Sequence, residues 1–143
     1  MGFLVKFLLV VCVAVGAHHL WAKYQATKST PIAYQASSGE FIRTSMPADA
    51  KPNTVLILAP VNCPSLAAKR ADSLAQQLTR MGIPVSRGNS FQLHVRNPSA
   101  EVQADMKRAG EVLQGEIPAV FVNGMGKANP SAEEVAAVYR RSS

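Results

Sequence analysis

The run Val55-Leu56-Ile57-Leu58-Ala59 has no polar position, so it cannot be one side of an element that shows its other side to water. A run this short and uniformly apolar is expected as a strand covered on both faces, which commits the chain to layers above and below one sheet. Pro60 and Asn62 end it, and a helix follows at once. Pro64 suits a first helical position, Leu66, Ala71, Leu74, Leu78 and Met81 recur at helical spacing, and Gly82 supplies the stop. Composition agrees: the 143 residues are 48% hydrophobic but only 6% aromatic, so the core is expected to be Val, Leu, Ile and Ala. That length allows one ordinary domain and excludes a two-domain enzyme.

The remaining elements follow from the same patterns. Ile83-Pro84-Val85 and Phe91-Gln92-Leu93-His94-Val95 read as an interrupted strand, or a strand with a small hairpin, split at Arg87-Gly88-Asn89. Asn97-Pro98 opens a second helix with Val102, Met106, Ala109 and Leu113 on one face, and Gly110 weakens it internally. Ala119-Val120-Phe121-Val122 is a strand, and Asn123-Gly124 is a strong hairpin signal. A last helix starts at Ser131, where Ser131 and Glu134 have capping-box spacing and Val135, Val138 and Tyr139 form the apolar stripe. The expected fold is α/β: a mixed four-stranded sheet with helices on both faces, over residues 54–143.

Before that domain the chain changes character twice. Phe7 to Ala17 is an unbroken apolar stretch behind Lys6, as in a secretory signal, with Val15-Gly16-Ala17 as an acceptable cleavage site. Leu20, Trp21 and Ala22 prolong it, so residues 1–24 are expected either as a cleaved signal or as a signal-anchor helix of roughly 20 residues with Trp21 and Tyr24 at the interface. Either outcome places the domain outside the cytoplasm: periplasmic, secreted, or tethered to the inner membrane. Residues 25–53 turn to Ser, Thr, Ala, Pro and Lys without a period and are expected to be a flexible linker, with Tyr34, Phe41 and Ile42 available to dock as a short strand. The net charge of +6 comes from Lys and Arg scattered among Asp and Glu, which is a solvated surface and no nucleic-acid stripe.

Cys63 is the best candidate for chemistry. Read as the residue just before a helix that begins at Pro64, it sits at the N-cap, where unpaired N–H groups and the helix dipole favour a thiolate over a thiol of pKa about 8.5. The thiolate is the form that attacks a disulfide or peroxide, whereas a buried cysteine at a helix start would be inert. His94 lacks any spacing rule that would bring it to Cys63 as a base and is expected as a partly buried strand residue. Two cysteines without clustered His or carboxylate ligands argue against a metal site.

Together, Asn62-Cys63-Pro64-Ser65-Leu66, Gly82-Ile83-Pro84, Ile117-Pro118 and Val122-Asn123-Gly124 make residues 54–140 resemble the glutaredoxin branch of the thioredoxin-like superfamily. The resemblance implies that Cys63 and Pro64 open the active-site helix. It also implies that Pro118 is cis and beside the cysteine, a state found in about 5% of X-Pro bonds. Ile117 would then offer its backbone to an extended thiol substrate. Three departures limit it, the first being that Leu58-Ala59-Pro60-Val61-Asn62 lacks the basic residue often found shortly before the active cysteine in that family. Leu66 stands where the family has a second cysteine, so only mixed disulfides with glutathione or another protein are open to Cys63. Lys127-Ala128-Asn129-Pro130-Ser131 replaces the Gly-Gly-x-Asp-like segment that holds glutathione in that family, which argues against glutathione as a cofactor. The expected function is a monothiol oxidoreductase acting on a protein thiol or disulfide through Cys63. The competing expectation is a redox-inactive module that binds a protein partner at the membrane or in an envelope-assembly complex.

Overall fold

The computed structural model describes residues 39–143. The expected signal or anchor at 1–24 and most of the expected linker lie outside the described residues. Among the described residues, no helix is long and apolar enough to cross a membrane. In chain order the elements are β1 (Ile42–Arg43), β2 (Val55–Leu58), α1 (Leu66–Arg80), β3 (Val85–Gly88), α2 (Ala100–Gln114), β4 (Ala119–Val122), β5 (Met125–Ala128) and α3 (Ala132–Ser142).

All five strands form one sheet in the order β1-β5-β4-β2-β3. β2 and β3 are parallel across α1, β4 runs antiparallel to β2, and β5 and β1 continue antiparallel. The alternation along β2 and β4 divides the core. Val55, Ile57, Val120 and Val122 face one way and meet Ala71, Leu74 and Leu78 of α1 and Val135 and Ala136 of α3. Leu56, Leu58, Ala119 and Phe121 face the other way and meet Ala109 and Val112 of α2. Val55, Ile57, Val120, Phe121 and Val122 have no exposed surface. Each large aliphatic or aromatic side chain so buried contributes about 1.5–3 kcal/mol before ordering costs.

Four expectations are corrected. The sheet has five strands, not four, because residues 42–43 inside the expected linker pair with Gly126 and Met125. A charge network holds that added edge: Asp105 of α2, nearly buried, pairs with Arg108 and with Arg43, whose other nitrogen lies 2.8 Å from Glu101. Arg108 also donates its Nε–H to the Arg43 carbonyl at 2.7 Å. Thr44 and Pro47 are buried, so the ordered domain takes in residues assigned to the linker.

Phe91–Val95 is not a strand. The Phe91 ring instead leaves the sheet to pack on Phe121, with centroids 4.9 Å apart, and the Gln92 carbonyl accepts from Ala48 N–H. His94, expected partly buried on that strand, is exposed. The helix stripes are shifted at their ends: Leu66 and Met81 of the first are exposed, and on α2 Val112 is buried while Leu113 faces out.

Two short-range signals appear in the structure as read. Asn123 and Gly124 adopt φ of 46° and 82°, both in the left-handed region, and close the two-residue hairpin between Val122 and Met125. The Asn123 side chain then donates to Asn53 Oδ1 and to the Ser142 carbonyl, both at 3.2 Å. At α3, Ser131 Oγ accepts from Glu134 N–H while the Glu134 carboxylate accepts from Ser131 N–H, a complete capping box. The same carboxylate accepts from buried Lys127 Nζ at 2.7 Å.

Two glycine substitutions are expected to act with opposite signs. A Cβ at Gly126 would stand 2.9 Å from the buried Phe121 ring, so Gly126→Ala should destabilise by about 1–3 kcal/mol. At Gly110, inside α2, a Cβ meets nothing within 4 Å, so Gly110→Ala should stabilise by about 0.5–1 kcal/mol. Urea denaturation of both variants measures this; the same sign for both would contradict the packing described. A third expectation concerns acid. Burial pushes the Glu134 carboxyl up, but the hydrogen bond and charge of Lys127 and the Ser131 donors outweigh it and hold the group below its ordinary 4.5. A depressed folded value stabilises above the unfolded one and is lost as pH falls through the folded value. Glu134→Gln should therefore cost stability at neutral pH and flatten the loss seen on acidification below about pH 4.5. Denaturation midpoints collected from pH 7 to pH 3 test it.

Candidate functional site

The sheet register brings two loops to one pole. Leu58, last in β2, pairs with Ala119, first in β4, so the segment leaving β2 through Pro60 to Cys63 and the segment entering β4 through Ile117 and Pro118 lie at the same end of adjacent strands. Ile117–Pro118 is a cis peptide bond. Pro118 is fully buried, whereas Ile117 is 39% exposed. The structure joins the two loops through a groove whose walls include Pro60 and Ile117; Cys63 stands three residues beyond Pro60.

Cys63 is exposed and free. It is not the N-cap of α1. Ser65 is, with extended φ and ψ of −63° and 154°, and its Oγ accepts from Ala68 N–H at 3.2 Å. Serine outcompetes cysteine as a cap because a hydroxyl oxygen is the better hydrogen-bond acceptor for first-turn N–H groups. Pro64 therefore precedes the helix and is not its first residue. The sulfur obtains its polar environment from Ser65 by another route: the Ser65 hydroxyl and then the Ser65 N–H donate to it, and together they hold the thiol below its ordinary 9.0 against slight desolvation. One hydroxyl thus accepts from the helix and donates to the sulfur. The outcome favours the thiolate, as the cap reading did, from a different donor set.

Asn129 is the residue that sequence reasoning missed. Its backbone N–H donates to the Pro118 carbonyl at 2.7 Å and its Nδ2 donates to Glu116 at 2.8 Å, so it clamps the Ile117-Pro118 segment from both sides. It is 1% exposed and has φ of 46°. The Asn-Pro pair Asn129-Pro130 was the available signal, since Asn tolerates the left-handed region better than other side chains. Lys127 and Asn129, at the place where the glutaredoxin resemblance puts a glutathione-holding segment, are spent on Glu134 and on Glu116 and Pro118.

Other candidates do not assemble. Asp49, Ser90 and His94 line a cleft of about 370 Å³, but no hydrogen bond links the three side chains into a relay, and His94 is not in the wall that holds Pro60 and Ile117. Among the described residues no group of three or more His, Cys, Asp or Glu side chains could hold a metal ion. Compared with family models, with curated proteins and with solved structures, the chain matches none.

Ser65 gives the sharpest test of this geometry. Ser65→Ala should raise the Cys63 pKa, read from the pH dependence of alkylation by iodoacetamide in a Cys12→Ser background. Ser65→Thr, which keeps the hydroxyl, should leave it near the unsubstituted value. Ser65→Asp should keep the cap but raise the pKa further, because a carboxylate donates nothing and repels the thiolate. Equal alkylation profiles for all three would remove Ser65 as the source of the shift.

Proposed function

We propose that residues 39–143 form a thioredoxin-like domain of the glutaredoxin type that acts as a monothiol oxidoreductase on protein partners through Cys63. The observation that carries the reading is an exposed sulfur whose neighbours favour its anion, at the pole of the sheet that also bears cis-Pro118. Support for the fold assignment comes from the β2–β5 core with its intervening helices, which has the element order that the glutaredoxin resemblance implies, with β1 added at the edge.

The chemistry is a thiol–disulfide exchange. The Cys63 thiolate attacks one sulfur of a partner disulfide, that S–S bond breaks, and the other sulfur leaves as a thiolate. The mixed disulfide is resolved by a second thiol from the partner or from solution, since Leu66 occupies the place of an internal resolving cysteine. Ser65 donates to the attacking anion, and Ile117 and Pro118 shape the surface against which the partner would lie. Lys127 and Asn129 are already engaged by the protein itself, which favours a protein partner over glutathione. Export, to the periplasm or as a domain tethered to the inner membrane, is part of the proposal and rests on the apolar stretch at Phe7–Ala17.

A second reading, a redox-inactive module that binds a protein partner, is favoured by Leu66 itself, 59% exposed where a resolving thiol would stand. The full chain with Cys12→Ser, incubated with an envelope extract, should yield mixed disulfides that disappear with Cys63→Ser and on reduction. An alkylation midpoint at the ordinary thiol value together with no Cys63-dependent adduct would defeat the redox reading and leave the docking one. Leu66→Cys should gain disulfide-reductase activity under the first reading and none under the second.

A further inference from the structure

We propose that the groove beside the Cys63 loop is a specificity pocket that takes a bulky apolar side chain flanking the reacting cysteine of an extended partner polypeptide. The inference rests on the redox reading for its partner and on separate observations for its chemistry. The groove has a volume of about 410 Å³, within the range of about 300–1,000 Å³ typical of small ligand pockets. Its floor is the end of the sheet at Leu58 and Ala119, and its walls include Pro60, Phe91, Leu113 and Ile117.

None of the residues lining it carries a charge, and Asn89 and Ser90 are the only lining residues with polar side chains. A tripeptide thiol with two carboxylates would find no ion pair there and would have to shed water from its charges, an uncompensated cost. An aromatic or branched aliphatic side chain would lose only apolar hydration. The rim shows the same preference, since Leu113 and Ile117 are 38% and 39% exposed and Val61, next to Pro60, is 47% exposed. Large apolar side chains held in water beside an apolar groove mark a surface that gains by being covered.

Continuity with the thiol fixes what covers it. Pro60 is a wall of the groove and Cys63 is three residues along the same loop. An extended chain advances about 3.3 Å per residue, so the three-residue step from Pro60 to Cys63 spans at most about 10 Å, and a polypeptide whose sulfur meets Cys63 reaches the groove with a residue no more than about three positions away. Phe91, held against Phe121 with ring centroids 4.9 Å apart, supplies one wall of the groove.

The test uses the full chain with Cys12→Ser and two synthetic peptide disulfides of equal length and charge, one with Phe and one with Ser beside the cysteine, and glutathione disulfide as a third substrate. The Phe peptide should form its Cys63 mixed disulfide about tenfold or more faster than the other two. Leu113→Asp, at an exposed helix position, should abolish that preference and bring the rates with the Phe and Ser peptides together. Comparable rates for the two peptides, or a preference that survives Leu113→Asp, would overturn the proposal. Failure of Cys63 to react with any of the three defeats the redox reading separately. In that case the Phe peptide with Ser in place of cysteine is titrated by NMR, and movement of the Ser90, Leu113 and Ile117 amides retains the groove as a docking site. No movement discards it, and so does movement caused by neutral-lipid vesicles but not by the peptide, because the groove would then meet a membrane surface.

Discussion

Covering β2 on both faces and pairing it on both edges is the constraint from which the other parts of the domain follow. A four-residue strand with every side chain buried needs a helix layer on either side, supplied by α1 and α3 on one face and α2 on the other. It also needs a neighbour at each edge, and β3 and β4 satisfy the backbone donors and acceptors that would be costly to leave unpaired inside a core. The loop that leaves β2 must therefore clear the sheet at one pole, and the segment that enters β4 must arrive at the same pole. The loop that carries Cys63 and the Ile117-Pro118 segment share that pole because of strand pairing, before any question of chemistry arises.

Around that pole the polar groups do two kinds of work. Asn129 ties the backbone of the Pro118 segment from within, and Lys127 and Glu134 tie the adjoining start of α3. Ser65, by contrast, acts at the surface, where one hydroxyl serves the helix and the sulfur together. A buried clamp and an exposed thiol are compatible here because they belong to different loops.

Much of the fold was legible because its signals are local. The apolar run of β2, Asn123-Gly124 at the hairpin and Ser131 with Glu134 at α3 each depend on residues within a few positions of one another. What escaped depends on distant partners. β1 is two residues long and is held by Gly126 and by Asp105, far along the chain, so the sequence offered Ile42 as a residue able to dock in a short strand but not as a fifth strand of the sheet. Phe91 follows a strand and precedes alternating residues, yet its ring contact with Phe121 overrides that pattern. Cys63 is legible as the residue to watch, but the helix cap lies two residues further on than that reading places it, at Ser65, whose hydroxyl is the better acceptor. Asn129 clamps a loop eleven residues upstream, and spacing alone does not reveal such a partnership.

The opposite pole has its own organiser. Asn123 gathers the entrance to β2 at Asn53 and the end of α3 at Ser142 around a single side chain, on the side of the sheet farthest along the strands from Cys63. Damage there would loosen the domain without touching the sulfur's donors, so thermal robustness and thiol reactivity can drift independently during evolution or be engineered one at a time. A label joined at Ser143 would for the same reason project away from the pole that carries Cys63.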